Sequence, residues 1–304
     1  MKGAIMARAL RPKDRETTAA RLLDSSVRNS YDPLLDIDWD APIAADKGFL
    51  PPEKVSLYGT ELWDRLTPEQ RVELAKHEIG SVASVGLWTE IVLMQLLARY
   101  AEGLDPRSPH AQYALTEIGD ETRHSIMFGK ALTRFGVPAY GPPRLVRRLS
   151  PLFKAVVGGA AMFASVLVVE EMTDRLQRST VDDESIQPLI RMVNRIHVIE
   201  EARHVRYARE ELVRELLTVR RPMLELHRTV TAVVAVSVAN ILIHPRVYAA
   251  VGIDPRQGRA AALANPHHRA TRRWMAEKIV DFLTEVGMIG GPSKLLWRRA
   301  GLIG

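Results

Sequence analysis

One five-residue pattern occurs twice in this chain, as "DETRH" at residues 120–124 and as "EEARH" at residues 200–204. Each copy sets a Glu three residues before a His, so Glu121 and His124 share one helix face, as do Glu201 and His204. The second copy is extended upstream in "HVIEEARH", where His197 stands four residues before Glu201. Steps of four and three return to the same face, so all three side chains project together. A solvated helix would more often carry Lys and Glu pairs there. A single Glu-x-x-His is a weak signal; two copies 80 residues apart, each on the second helix of a helical pair, are a specific one.

The other helix of each pair should then offer a buried carboxylate. In "VASVGLWTEIVLMQLL", residues 82–97, Glu90 is the only charged residue. The run "AVVGGAAMFASVLVVEE" ends with Glu170 beside the apolar face, Glu171 being the alternative. An unpaired buried carboxylate costs several kcal/mol, so these groups must be neutralised, paired or metal-bound. Glu90 taken alone could equally pair with an Arg from a neighbouring helix. Glu, Glu-x-x-His, Glu, Glu-x-x-His on four helices is the dinuclear carboxylate arrangement of ferritin-like bundles. His197 is additional to that symmetric set, as a third imidazole or as a histidine hydrogen-bonded beside it. Asp120 and Glu200 each lie four residues before a ligand His and are candidates to hold its second nitrogen. His77, His110, His227, His244, His267 and His268 lack such partners and read as structural or surface residues.

The chain has no cysteine, which excludes disulfides, Fe–S clusters, thiolate zinc sites and cysteine nucleophiles. A metal site must therefore use His and carboxylate, a set that suits iron, manganese or zinc. The net charge of +6 permits an acidic partner such as an electron-transfer protein. Its arginines are spread along helical segments, so no nucleic-acid partner is expected. The start, "MKGAIMARALRPKDRE", lacks the apolar core of a signal peptide. The apolar runs Ala155–Val169 and Val230–Ile243 fall short of the roughly 18–20 residues that span a bilayer. A cytoplasmic protein with no membrane partner is the expectation.

Residues 1–55 are polar, with prolines at 12, 33, 42, 51 and 52, and read as an extended N-terminal arm. A ferritin-like domain is expected over 56–290 and a tail over 291–304. Thr67 as N-cap and Pro68 in the first turn open a helix predicted to run to about Ala101. Further helices are predicted from Ser108–Pro109 to about 135, at 150–178, at 183–218, from 220 to a break at His244–Pro245, and at 267–287. No stretch alternates with period two, so the fold class is all-α: a ferritin-like four-helix bundle core with additional C-terminal helices.

These motifs, with "LYGTELWDRLTPEQ", "VVEEMTD" and "HVIEEARHVRYARE", resemble the arylamine N-oxygenases, the family of p-aminobenzoate N-oxygenase, over about residues 57–250. His197 matches the additional histidine of that family. The resemblance implies seven metal ligands: Glu90, Glu121, His124, Glu170, His197, Glu201 and His204. It implies two iron ions, with manganese an alternative in one position, and O2 as co-substrate. It further implies a peroxo intermediate that oxidises an arylamine through hydroxylamine and nitroso stages to a nitro group, and assembly as a homodimer. With no cysteine and no G-x-G-x-x-G in a strand–helix setting, electrons are expected from an external reductase or ferredoxin. Arg191, Arg195 and Asn240 are candidate anchors for the substrate. The competing readings are acyl-chain hydroxylation or desaturation, which does not call for His197, and a ferritin-like iron-binding or oxidative-stress protein. A helical DNA-binding regulator would leave the buried carboxylates unexplained, and a zinc hydrolase lacks H-E-x-x-H.

Overall fold

The computed structural model describes residues 12–304, so the reading of the first eleven residues lies outside it. Among the described residues there are eleven α-helices and no strand, only an isolated bridge between Gly48 and Ile186. Four helices form the core: α3 (Pro68–Glu102), α4 (Pro109–Phe135), α6 (Gly159–Val181) and α7 (Pro188–Thr218). The helix α3 pairs with α4, α6 pairs with α7, and α4 faces α7 across the centre. This is the all-α, ferritin-like arrangement expected from the repeated pattern.

Local chemistry sets the ends of these helices. Thr67 and Gln70 form a reciprocal capping box at the start of α3, with Pro68 in its first turn. Ser108 accepts from the Ala111 amide to open α4, and Gly136 closes it in the left-handed region at φ 65°. The third predicted helix is in fact two, α5 (Arg144–Val156) and α6. Gly159 at φ 56° cannot continue a right-handed helix, and it divides them. The start of α7 moves from 183 to Pro188, and the buried side chain of Gln187 just before it donates to the Ala44 and Lys47 carbonyls of the N-terminal segment.

The arm is not without regular structure: α1 (Arg15–Arg28) crosses α4 and α7. Its buried stripe is Thr18, Ala19, Leu22 and Ser26, residues too small and polar to produce an apolar period. A short α2 (Glu61–Asp64) precedes the bundle. Beyond it come α8 (Arg221–Ile241), α9 (Pro255–Ala264) and α10 (Pro266–Glu285), with α8 and α10 both packed on α6. The predicted tail contains α11 (Lys294–Arg299), whose Trp297 is fully buried and which packs on α8.

By length and composition, α3 and the helical stretch Arg221–Val251 could each cross a membrane, so the second apolar run is longer in helix than its sequence limits suggested. Both are committed to packing: α3 places Glu90 in the bundle centre, and α8 buries Thr231, Ala232, Ala235 and Val238.

Candidate metal centre

All seven predicted side chains meet in the middle of the four-helix core, each no more than 3% exposed. The helix α3 supplies Glu90, α4 supplies Glu121 and His124, α6 supplies Glu170, and α7 supplies His197, Glu201 and His204. Their donor atoms form overlapping groups, among them Glu90–His124–His197, Glu121–His124–Glu201 and Glu170–His197–Glu201, with atoms within 4.8 Å of one another. Nδ1 of His124 lies 3.1 Å from Glu121 and 3.4 Å from Glu201. Nδ1 of His204 lies 3.0 Å from both glutamates, which gives the two Glu-x-x-His motifs their mirrored roles. His197 turns Nε2 inward, 3.4 Å from Glu90 and 3.7 Å from Glu201.

Outside this ring, each histidine is held from behind. Glu200 Oε2 bonds His124 Nε2 at 2.9 Å, and Asp120 Oδ2 bonds His204 Nε2 at 3.2 Å. Both carboxylates therefore act across the bundle on the other helix's histidine, not on the histidine four residues ahead. Arg203 joins the two devices, 3.2 Å from Asp120 and 3.6 Å from Glu200. The N-terminal segment closes this side: the Tyr31 amide donates to Glu200 Oε1 at 3.2 Å, and Arg203 donates to the Asn29 carbonyl at 3.1 Å.

Sequence reasoning missed two members of the cluster. Gln177 Oε1 lies 2.8 Å from His197 Nδ1 and fixes that ring. It sits two helical turns after Glu170, a same-face spacing that could have marked it. Glu117, 1% exposed, groups with Glu121 and His204 from one turn earlier on α4. Burial pushes its carboxyl up to about 8.

Glu171, the alternative to Glu170, points away and pairs with Arg209, its Oε1 at 2.8 Å from Nε. Arg191 bonds the Val181 carbonyl, Arg195 pairs with Asp182, and Asn240 bonds the Val236 carbonyl, so none of the three candidate anchors reaches the cluster. His110 is structural as expected, buried and 2.8 Å from the Tyr100 hydroxyl.

The electrostatics of the cluster call for cations. Burial first, and then the facing carboxylates, holds Glu90 and Glu170 well above the usual carboxylate range. Burial alone would lower His124, but bonds to Glu121, Glu200 and Glu201 keep it well above the ordinary histidine value. His197, lowered to about 4 by burial and by His124, is a neutral imidazole. Among the described residues, the only basic side chains within ion-pair distance of Glu90, Glu121 and Glu201 are histidines, and the one facing Glu90 is the neutral His197. Glu90 Oε2 and Glu201 Oε2 are buried with no hydrogen-bond partner. Two divalent ions would balance the four central carboxylates and give these oxygens their missing partners. The residues fit a dinuclear centre of hard or borderline metals.

Fold and cluster together define a ferritin-like bundle built around buried Glu and His. The family model described as "P-aminobenzoate N-oxygenase AurF" matches residues 12–287, and the chain belongs to this family of oxygenases. It is also similar to two mycobacterial proteins of uncharacterized function. It is 29% identical to Rv0885 of Mycobacterium tuberculosis and 29% identical to Mb0909 of Mycobacterium bovis. Each of these alignments covers 94% of this chain and 86% of the relative.

Proposed function

We propose that this chain is a diiron oxygenase that uses O2 to oxidise a small molecule, most specifically by N-oxygenation of an arylamine to a nitro compound. The observation that carries the reading is the convergence of Glu90, Glu121, His124, Glu170, His197, Glu201 and His204 in one buried cluster. The third imidazole, His197, supports the N-oxygenase assignment within it. Two iron ions bound there would supply the redox chemistry for O2 activation, with manganese an alternative in one position. The chain's own contribution is placement: Glu200, Asp120 and Gln177 hold the outer nitrogens of the three imidazoles, so each ring presents its other nitrogen to the centre. The surrounding apolar side chains keep water from the reacting groups. Electrons would come from an external reductase or ferredoxin, and a cytoplasmic homodimer is part of the same proposal.

Iron stoichiometry and turnover test this reading together. Anaerobic ferrous loading is expected to give two irons per chain in the wild type and in Glu171→Gln, and fewer in Glu170→Gln. Reduced, iron-loaded protein mixed with O2 and an arylamine should yield the nitroarene. Full iron binding by Glu170→Gln would overturn the ligand assignment. Rapid iron oxidation that ignores every amine would favour the iron-handling alternative.

A further inference from the structure

Two adjoining cavities open from the cluster, and both are lined by Thr89, Val169 and Glu170. The smaller, about 40 Å³, touches Glu90 and His197. The larger, about 200 Å³, runs between α3, α6 and α8, with α5 as its outer wall. Neither lining includes a lysine or an arginine, and the only carboxyl groups present, Glu90 and Glu170, belong to the metal cluster. With its amine toward the cluster, a substrate carrying a carboxylate at the far end would lose that group's hydration without gaining a cation, at a cost of several kcal/mol.

A second observation bears on what does enter. Ser165, 4% exposed, lines the larger cavity with a hydroxyl that has no hydrogen-bond partner. Of the other hydroxyls in this lining, Thr89 donates to the Val85 carbonyl and Ser237 to the Val233 carbonyl, while Ser150 stands on the outer α5 wall. Ser165 precedes Glu170 by five residues on α6, which is about 7.5 Å along the helix axis. An apolar cavity of about 150 Å³ suffices for benzene, so one of about 200 Å³ suits a single substituted ring.

Resting on the oxygenase reading above, we propose that this chamber takes an uncharged, single-ring aromatic substrate, its reacting group toward Glu170 and one hydrogen-bonding atom at the far end toward Ser165. Access lies along α5, whose Val146 and Phe153 face the cavity while Leu145, Leu152 and Val156 face outward. The chain thus selects against acids and for neutral amines.

The test is calorimetric binding to the full-length protein with four probes: 4-aminobenzoate, its methyl ester, methyl 4-methylbenzoate and 4-propylaniline. The ester is expected to bind about tenfold or more tightly than the acid. Ser165→Ala should weaken the ester by about three- to tenfold and leave 4-propylaniline, which has no acceptor at that end, unchanged. Equal or tighter binding of the acid, or no binding of any neutral probe, would overturn the proposal. An equal loss for ester and propylaniline in Ser165→Ala would overturn the role of Ser165. Methyl 4-methylbenzoate separates the two claims, because its tight binding without turnover of any amine leaves the chamber standing and removes the arylamine reaction. Amine turnover with a preference for the acid does the reverse.

Discussion

Replacing Glu200 with alanine tests whether the crossed carboxylates tune the centre one position at a time. Glu200 Oε2 makes a charge-assisted bond to His124 Nε2 at 2.9 Å in a fully buried setting. Such bonds contribute about 1.5–3 kcal/mol, and loss of a partner behind a metal-bound histidine typically weakens binding about 10–100-fold. The two figures agree, since a factor of 10–100 corresponds to about 1.4–2.8 kcal/mol. Glu200→Ala should therefore weaken the ion served by His124 by that factor, and Asp120→Asn the ion served by His204. Glu200→Gln, which retains an acceptor of the same shape without its charge, should fall nearer tenfold. Anaerobic ferrous titration against a chromophoric chelator resolves two affinities, and thermal melting in parallel reports any general loss of structure. Unchanged affinities in a Glu200→Ala protein that melts normally would refute the reasoning. So would an equal loss at both positions, because then the outer carboxylates would act only through the fold.

Glu78, buried far along α3 from the cluster, is pushed up to about 7 by burial despite its bonds from Ser56. The folded chain therefore keeps this proton where the unfolded chain releases it, and stability is lost as pH rises from about 4.5 to about 7, by about 3 kcal/mol. Urea unfolding at pH 5 and pH 8 should show Glu78→Gln gaining on the wild type at the higher pH; parallel curves would refute the assignment. Gly80→Ala would set a Cβ 2.6 Å from Val137 Cγ2, and denaturation should register a loss of about 1–3 kcal/mol.

The bundle and its seven converging side chains were legible in the sequence because helical spacing is a strong code for which residues share a face. Glu90 stands out as the lone charge of an apolar run and Glu170 as the first charge that ends one, and the pairing of Glu171 with Arg209 leaves Glu170 to the cluster. What spacing cannot encode is which residue of another helix a side chain meets. Spacing marks Asp120 and Glu200 as holders of the histidines on their own helices, whereas the bundle crosses them. The substrate anchors failed for the same reason: Arg191 and Arg195 are spent on local bonds, while Ser165, an unremarkable residue in an apolar run, lines the cavity. Helices held by tertiary contacts and small residues, such as α1, left no period to read.

The bond from Tyr31 to Glu200 joins residues 169 positions apart, and this bears on how the protein is made. A ribosome adding about 5–20 residues per second exposes Tyr31 roughly 10–30 s before its partner exists. During that interval α1 can dock on α4, to which the His110 amide ties it through Glu16, but the part of the segment that lies against α7 has no surface to meet. The contacts of Asn29 and Tyr31 with α7 are therefore expected to close only once residues 200–203 have been made, so that an early segment is laid late over the back of the metal centre.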